Sequence, residues 1–546
     1  MKQIIEYIFA VFAGTLLFTG CFDDKGNYDY KVLNEVFVDT VNVKMSYSLD
    51  QYDWLDIIPD VKFTQGTSDE SRLAYKWVIY TDKWSKDEST AELLSTERNL
   101  HVQIKQPANI DDYAVVLYIT DTETNIVSQV KYSLTIQPSV VSGILALHTL
   151  NGETDLDYIA TPKAVPTLDK IKWMKNIYST VNGRKLSGNP VSVSAVRFNN
   201  SVINHVYMAT DQEFVQLSGR DFTQVCDVSE LFHTRPAVLK PSKILREGQI
   251  AHVTMMVNDD KVHNINNQAS QKWSNTFSDA LSPVSSLGEI SVAPFIYMPD
   301  SYMTGNMAVF YDKKGKRFVR REWSTWEEAP LKPFVDQVSA AFDVNNIGKD
   351  LIWFGIGYNG HGFALMTDYT LYRANFNMDS ELLQSDGSYK PNEAINDLAV
   401  RIYDLGNMPD IRNAKYFDCG RYATLFMYAT DRDIYVCSIK STTVTTSKIN
   451  QDFPADEVIT GIMIYNPNTY LMSALEPTRG NLLYVSTWNG TEGKIYEFAI
   501  TRNTCEMNNQ TAVDGVVNKK APLNVFDGLG KVTDMCIKLQ GTGSGS

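Results

Sequence analysis

Between residues 32 and 138 apolar and polar positions alternate in short runs, and no segment carries the period of an amphipathic helix. The stretch "EVFVDTVNVKMSY" (Glu35 to Tyr47) alternates along its whole length. "YKWVIY" (Tyr75 to Tyr80) and "YAVVLYITD" (Tyr113 to Asp121) are rich in β-branched and aromatic residues, as strands are. "TDTETN" (Thr120 to Asn125) supplies a turn, and "VSQVKYSLTI" (Val127 to Ile136) the strand that pairs back. About seven short strands in roughly a hundred residues predict an immunoglobulin-like β-sandwich over 32–139, with Trp77 as its buried anchor.

From Gly143 onward a different pattern repeats: an apolar strand, a polar turn with Asp, Asn or Gly, and a second strand with aromatic or branched residues. It occurs at His205–Leu217, Ala251–Ile265, Asn306–Arg320, Phe363–Ala374, Thr424–Ile439 and Asn481–Ile500. A hairpin cannot bury both faces alone, and radial stacking of such units solves that problem. A seventh unit follows if Gly143–Ala160 pairs with Lys531–Leu539, which closes a ring and removes its exposed edges. The expectation is an all-β chain with a seven-bladed β-propeller over 140–540; six or eight blades, a pair of sandwiches or an open solenoid are the alternatives. The trailing "GTGSGS" (541–546) reads as a flexible tail or appended linker.

Composition narrows the function. The 546 residues carry a formal net charge of -14, which argues against nucleic acid as a partner. The densest basic block, Lys313, Lys314, Lys316, Arg317, Arg320 and Arg321, reads as a solvated hairpin. Beyond Cys21 the cysteines are 226, 419, 437, 505 and 536, an odd, scattered set with no CxxC pair and no zinc spacing. Cys419 and Cys437 are the one pair that a hairpin could bring together.

The N-terminus has a minimal positive region at Lys2 and an apolar run from Tyr7 to Phe18, too short to span a bilayer but suited to an export signal over 1–20. "LFTGC" (Leu17 to Cys21) resembles the lipobox of bacterial lipoproteins, which implies that Cys21 is the lipid-bearing first residue of the mature chain. The following Asp23 and Asp24, within a tether over 21–31, resemble the surface-export signal of Bacteroidota lipoproteins. With "KGNYDYKVLNEV" (Lys25 to Val36), the Trp77 strand and "YAVVLYITDTETN", the region resembles the PKD-like lipoprotein family of Bacteroidota. That resemblance implies an accessory to SusC/SusD-type outer-membrane nutrient importers, facing the cell exterior, with no defined reaction.

Local chemistry is sparse. The seven histidines form no HExxH or HxH pair, and no nucleophile elbow or phosphate loop is present. "GIGYNGHGF" (Gly355 to Phe363) lacks the lysine and following helix of a phosphate loop and reads as a blade loop. "GETDLDY" (Gly152 to Tyr158) and "TDTETN" have acidic spacing but no full calcium loop. Asp259–Asp260, or Asp404 with Asp410, could supply acid and base only if space brought two carboxyls together. No catalytic residue, metal or cofactor is therefore assigned. Trp323, Trp326, Trp353, Tyr358 and Trp488 lie near strand ends or loops, where exposed aromatics stack on sugar faces or peptide side chains. They are the candidate ligand-binding residues, with packing between blades as the other account. The expectation is a non-catalytic surface lipoprotein that binds glycan or peptide, or docks on the importer. A glycan- or peptide-degrading propeller enzyme and a purely structural scaffold remain alternatives.

Overall fold

A computed structural model describes residues 34–540 except residue 42 and the stretches 67–68, 83–90, 108–111, 138–139, 198–203, 246–252, 267–275, 299–306, 323–329 and 337–339. Also outside the description are 377–380, 384–388, 392–397, 441–442, 451, 469–472, 509–510, 514–515 and 519. The chain divides into two compact units, 1–137 and 138–546.

In the first unit a five-stranded sheet contains Ser46–Asp50, Val127–Gln137, Tyr113–Asp121, Leu73–Thr81 and Glu92–Ser95, with the first two strands parallel. Two smaller sheets, Val36–Val38 with Val61–Phe63 and Trp54–Ile57 with Leu100–Gln103, supply residues to the same core. Trp77 is fully buried, its indole donates to the Glu97 carbonyl at 2.9 Å, and Tyr132 packs 5.8 Å away. The alternating stretch from Glu35 to Tyr47 is not one strand. The carboxylate of Asp39 accepts from Val41 N at 3.0 Å and binds Lys62, turning the chain before pairing resumes at Ser46. An aspartate turn outcompetes continued pairing there.

In the second unit each predicted hairpin is the middle of a blade. Blade 1 comprises Pro190–Arg197, Asn204–Thr210, Phe214–Ser218 and Gln224–Asp227. Blade 2 comprises Pro241–Leu245, Val253–Asn258 and Lys261–Asn266. Blade 3 is Met307–Asp312 with Arg317–Glu322, extended inward by bridges at Val292 and Tyr297 and outward at Lys332. Blade 4 comprises Leu351–Ile356, Gly362–Met366, Thr370–Ala374 and Ala399–Asp404. Blade 5 comprises Tyr416–Cys419, Leu425–Ala429, Ile434–Ser438 and Thr445–Lys448. Blade 6 comprises Val458–Ile464, Leu482–Trp488, Gly493–Ala499 and Asn524–Leu529.

The ring closes as the sequence predicts. In blade 7 the innermost strand, Lys531–Lys538, pairs antiparallel with Gly143–Leu150, which pairs with Glu153–Ala160 and then Lys172–Met174. The fold is all-β, a sandwich followed by a seven-bladed propeller. Its apolar cores lie between blades: Tyr297 and Val309 of blade 3 pack with Phe354 and Ala364 of blade 4, and Ile434 and Val436 of blade 5 with Leu483 and Val485 of blade 6. Each blade thus buries one face on each neighbour.

A buried polar set pins the closing strand. Gly530 N donates to His148 Nδ1 at 3.3 Å, so the ring proton resides on Nε2 and goes to Asp157 Oδ1 at 2.9 Å. Asp157 also accepts from Trp173 Nε1 at 2.8 Å. Gly530 admits no side chain, because a Cβ there would meet the Thr149 carbonyl at 2.4 Å.

Two other points raised by the sequence are decided, the cysteine pair and the basic block, and the second differs from expectation. Cys419 pairs in register with Phe426, which pairs with Cys437, so the two cysteines are separated by a whole strand and both are free. The basic block is a hairpin, but it is solvated only around its turn: Arg320 and Arg321 are buried. Lys313, Lys314 and Lys316 pair with Asp260, Glu289 and Asp350.

Ending the chain at Gly530 removes the innermost strand of blade 7. Differential scanning calorimetry should then lose the cooperative transition of the propeller; an unchanged transition would mean the ring does not depend on this closure.

Candidate functional site

The innermost strands of all seven blades run side by side around a central channel, and two cavities occupy it. The wider, about 420 Å³, is bounded by the C-terminal halves of these strands, from Val196 and Ile244 to Ile356, Ile464 and Ile537. The narrower, about 370 Å³, is bounded by the N-terminal halves, including Ile352, Tyr416, Thr460 and Val532. Phe295, Trp353, Phe417, Met463 and Met535 line both cavities and so form the partition between them. Volumes of this order fall within the usual range of small-molecule sites.

Trp353 owes its position to a glycine two residues along the same strand. A Cβ at Gly355 would lie 2.4 Å from the indole, so the ring occupies the space that a side chain at 355 would need. The indole also packs edge-on to Phe426 at 5.7 Å and lies 6.3 Å from Phe417, both in the next blade. It therefore packs between blades and faces the cavities at once.

Two aspartates on the inner strands tie neighbouring blades together in the same way. Asp418 Oδ2 accepts from Ile464 N of blade 6 at 2.7 Å, and Oδ1 accepts from Cys419 N at 2.7 Å. Asp534 Oδ2 accepts from Val193 N of blade 1 at 3.0 Å, and Oδ1 accepts from Met535 N at 3.1 Å. Asp418 lies deep in the wide chamber, where burial pushes its carboxyl up to about 6 against the two amides and Arg421, which favour the charged form. Sequence reasoning missed both residues. The available signal was a single aspartate interrupting an apolar inner strand, in "YFDC" and in "VTDMCI".

The cationic side chains Lys243 and Arg421 line the wide chamber, as do the amides Asn204, Asn466 and Asn468. Lys243 Nζ forms an ion pair with Asp534 Oδ2 at 3.6 Å, longer than a direct hydrogen bond. Beside Arg421, the ring of Tyr422 lies 4.5 Å from the Arg502 guanidinium and 5.9 Å from that of Arg479. The Tyr422 hydroxyl donates to Glu476 at 2.5 Å.

Of the five aromatic candidates, Trp353 alone lines the described cavities. Tyr358 is in the loop after Ile356, under the Arg373 guanidinium at 5.6 Å. That loop is the glycine-rich stretch, fixed by Tyr297 Oη donating to the Gly360 carbonyl at 2.5 Å and by Arg373 Nε donating to His361 Nδ1 at 3.0 Å. Burial, with Arg373 beside it, pushes the His361 imidazole down to about 4. Trp488 ends the second strand of blade 6 opposite Val458. Trp323 and Trp326 lie outside the described residues, as do Cys21, Asp23 and Asp24.

The acidic pairs have local duties. Asp259 and Asp260 are the two left-handed residues of a hairpin turn, and Asp260 also binds Ser291 and Lys313. Asp404 caps Gly406 N, and Asp410 accepts from the Tyr435 hydroxyl. In "GETDLDY", Asp155 accepts from Leu156 N and Ser179 N, and Asp157 holds the His148 set.

Residues 21–190 match the model of the PKD-like family, a match that runs through the first unit and the first strands of blade 7 up to Pro190. No curated protein matches the sequence. Among solved structures, a quinonprotein alcohol dehydrogenase-like protein of Bacteroides thetaiotaomicron is 10% identical with a TM-score of 0.46, covering 92% of this chain and 99% of that one. An auxiliary nutrient binding protein of the same organism is 10% identical with a TM-score of 0.29, covering 80% and 92%. AztD of Citrobacter koseri is 10% identical with a TM-score of 0.33, covering 84% and 100%.

Asp418→Asn leaves one oxygen facing two amide donors, which should destabilise the propeller by about 1–3 kcal/mol. The wild-type carboxyl holds its proton to about pH 6 when folded but releases it near 3.8 when unfolded, so its stability contribution falls as pH rises between those values. The deficit of the variant should therefore narrow from pH 4 to pH 6 in denaturant titrations. A deficit that stays constant or widens would refute the raised carboxyl.

Proposed function

We propose that this chain is a non-catalytic, ligand-binding lipoprotein of the outer membrane, anchored through Cys21 and directed to the cell surface by Asp23 and Asp24. It serves as an accessory subunit of a SusCD-type, TonB-dependent nutrient importer, capturing glycan or peptide and docking on the transporter. The observation that carries the binding role is the composition of the wide chamber. Aromatic, amide and cationic side chains converge there from different blades, while the carboxylate of Asp418 is committed to backbone amides of adjacent blades.

The number of carboxyl groups in the chamber favours a binder over a hydrolase. Glycoside cleavage needs two carboxyl groups flanking one bond, one of them free to move a proton. Among the described residues Asp418 is the one carboxylate lining the wide chamber, and Asp534, which lines the narrow one, is committed in the same manner. The match of residues 21–190 to the PKD-like family supports the accessory role through the family resemblance.

Trp353→Ala should weaken ligand affinity about tenfold or more by calorimetry, because the variant removes the partition's largest ring. Gly355→Ala should act in the same direction by displacing the indole. Incubation with candidate glycans and peptides should yield no products; turnover abolished by Asp418→Asn would replace binding with catalysis. The lipidated chain should co-purify with a SusC/SusD-type complex from detergent-solubilised outer membranes, and its absence from that complex would remove the importer role.

A further inference from the structure

We propose that the wide chamber recognises an acidic sugar, a uronate unit of an oligosaccharide, with Arg421 and Lys243 holding its carboxylate. The inference rests on the binding role above and names its ligand class. Its first support is a local reversal of charge. The chain carries 64 acidic against 50 basic side chains, yet the charged groups lining this chamber are two cations, Lys243 and Arg421, and one carboxylate, Asp418, which Arg421 favours in its charged form.

The neighbourhood continues the trend. Arg479 and Arg502 flank Tyr422, the residue next to Arg421. The carboxylates nearby are Asp418, Asp534 and Glu476. Asp418 and Asp534 each accept two backbone amides, and Glu476 accepts from the Tyr422 hydroxyl. Lys243 is ion-paired with Asp534 at 3.6 Å, and its ammonium, with three donors, can also take an incoming oxygen. Arginine presents paired donors that match a carboxylate, and lysine adds a mobile point charge.

The second support is what surrounds the cations. Trp353, Phe295 and Phe417 form an apolar floor at the partition, suited to the C–H face of a pyranose ring. Asn204, Asn466 and Asn468 offer both donors and acceptors, as hydroxyl groups require. Within the described structure, Asn466 Oδ1 has no hydrogen-bond partner and is shielded from solvent. An acidic peptide would use the cations and amides equally, but the aromatic rings of the floor match the C–H face of a pyranose. The combination favours the sugar.

The test is calorimetric titration of the full chain with digalacturonate, with its neutral counterpart digalactose, and with the dipeptide Glu-Glu. Digalacturonate should bind while digalactose binds at least tenfold more weakly, and raising salt from low to high should weaken the acidic ligand. Arg421→Gln and Lys243→Gln should each cost tenfold or more in affinity for digalacturonate, with Arg421→Lys recovering part of it. Thermal unfolding of each variant, unchanged from the parent, shows that the loss is one of recognition. Equal binding of both disaccharides, insensitive to the two substitutions, would overturn the acidic-sugar assignment and leave the binding role intact. Binding of Glu-Glu with neither disaccharide would overturn the sugar class. No heat with any probe, in the parent as in the variants, would overturn the inference; the binding role would then fall only if the broader set of glycans and peptides also failed.

Discussion

The antiparallel pairing of Lys531–Lys538 with Gly143–Leu150 is the constraint on which the propeller depends. Without it the ring has two open edges, each a row of unpaired backbone groups beside apolar surface. The strand is the innermost of its blade, so it also borders the channel and touches the inner strands of blades 1 and 6. Its start is fixed by a polar set that is buried and internally satisfied: Gly530 to His148, His148 to Asp157, and Asp157 to Trp173. Such a set costs little when complete and a great deal when one member is missing, which makes the register of closure specific. A second buried carboxylate, Glu497 in blade 6, accepts from Thr161 of blade 7 at 2.6 Å and Tyr484 at 2.8 Å, fastening the next junction.

The channel follows from the same geometry. Seven twisted sheets packed face to face leave their inner edges around an axis, and inner strands expose backbone amides toward neighbours they cannot pair with as a ladder. Asp418 and Asp534 answer that need at two junctions by accepting an amide from the next blade. Cationic and aromatic side chains line the channel beside them.

Much of the architecture was legible along the chain because the middle hairpin of a blade is buried on both faces. Such strands read as continuous apolar runs with a polar turn between, as at Thr424–Ile439 and Asn481–Ile500. Inner and outer strands carried no such signal. "YFDC" and "VTDMCI" are short and interrupted by aspartate, and blade 3 uses isolated bridges at Val292, Tyr297 and Lys332 in place of full strands. The aromatic candidates fared unevenly for a related reason. Strand-end position identifies Trp353, Tyr358 and Trp488 alike, but exposure to the channel depends on which of a blade's strands carries the ring.

The sequence by itself determined the β class, the Trp77 core, the six repeated hairpins and the joining of the two ends into a seventh blade. The first three are matters of period, composition and local turn chemistry, which neighbouring residues settle among themselves; the closure follows from the exposed edges that an open array would leave. Tertiary structure alone decided that Asp259–Asp260 make a turn, that Arg320 and Arg321 are buried, and that Cys419 and Cys437 stay apart. It alone gathered Lys243, Trp353, Arg421 and Asp534, which come from four different blades, around one channel. The physical reason is that a propeller's channel takes one strand from each blade, so its lining is assembled from positions tens to hundreds of residues apart. No local pattern records that proximity.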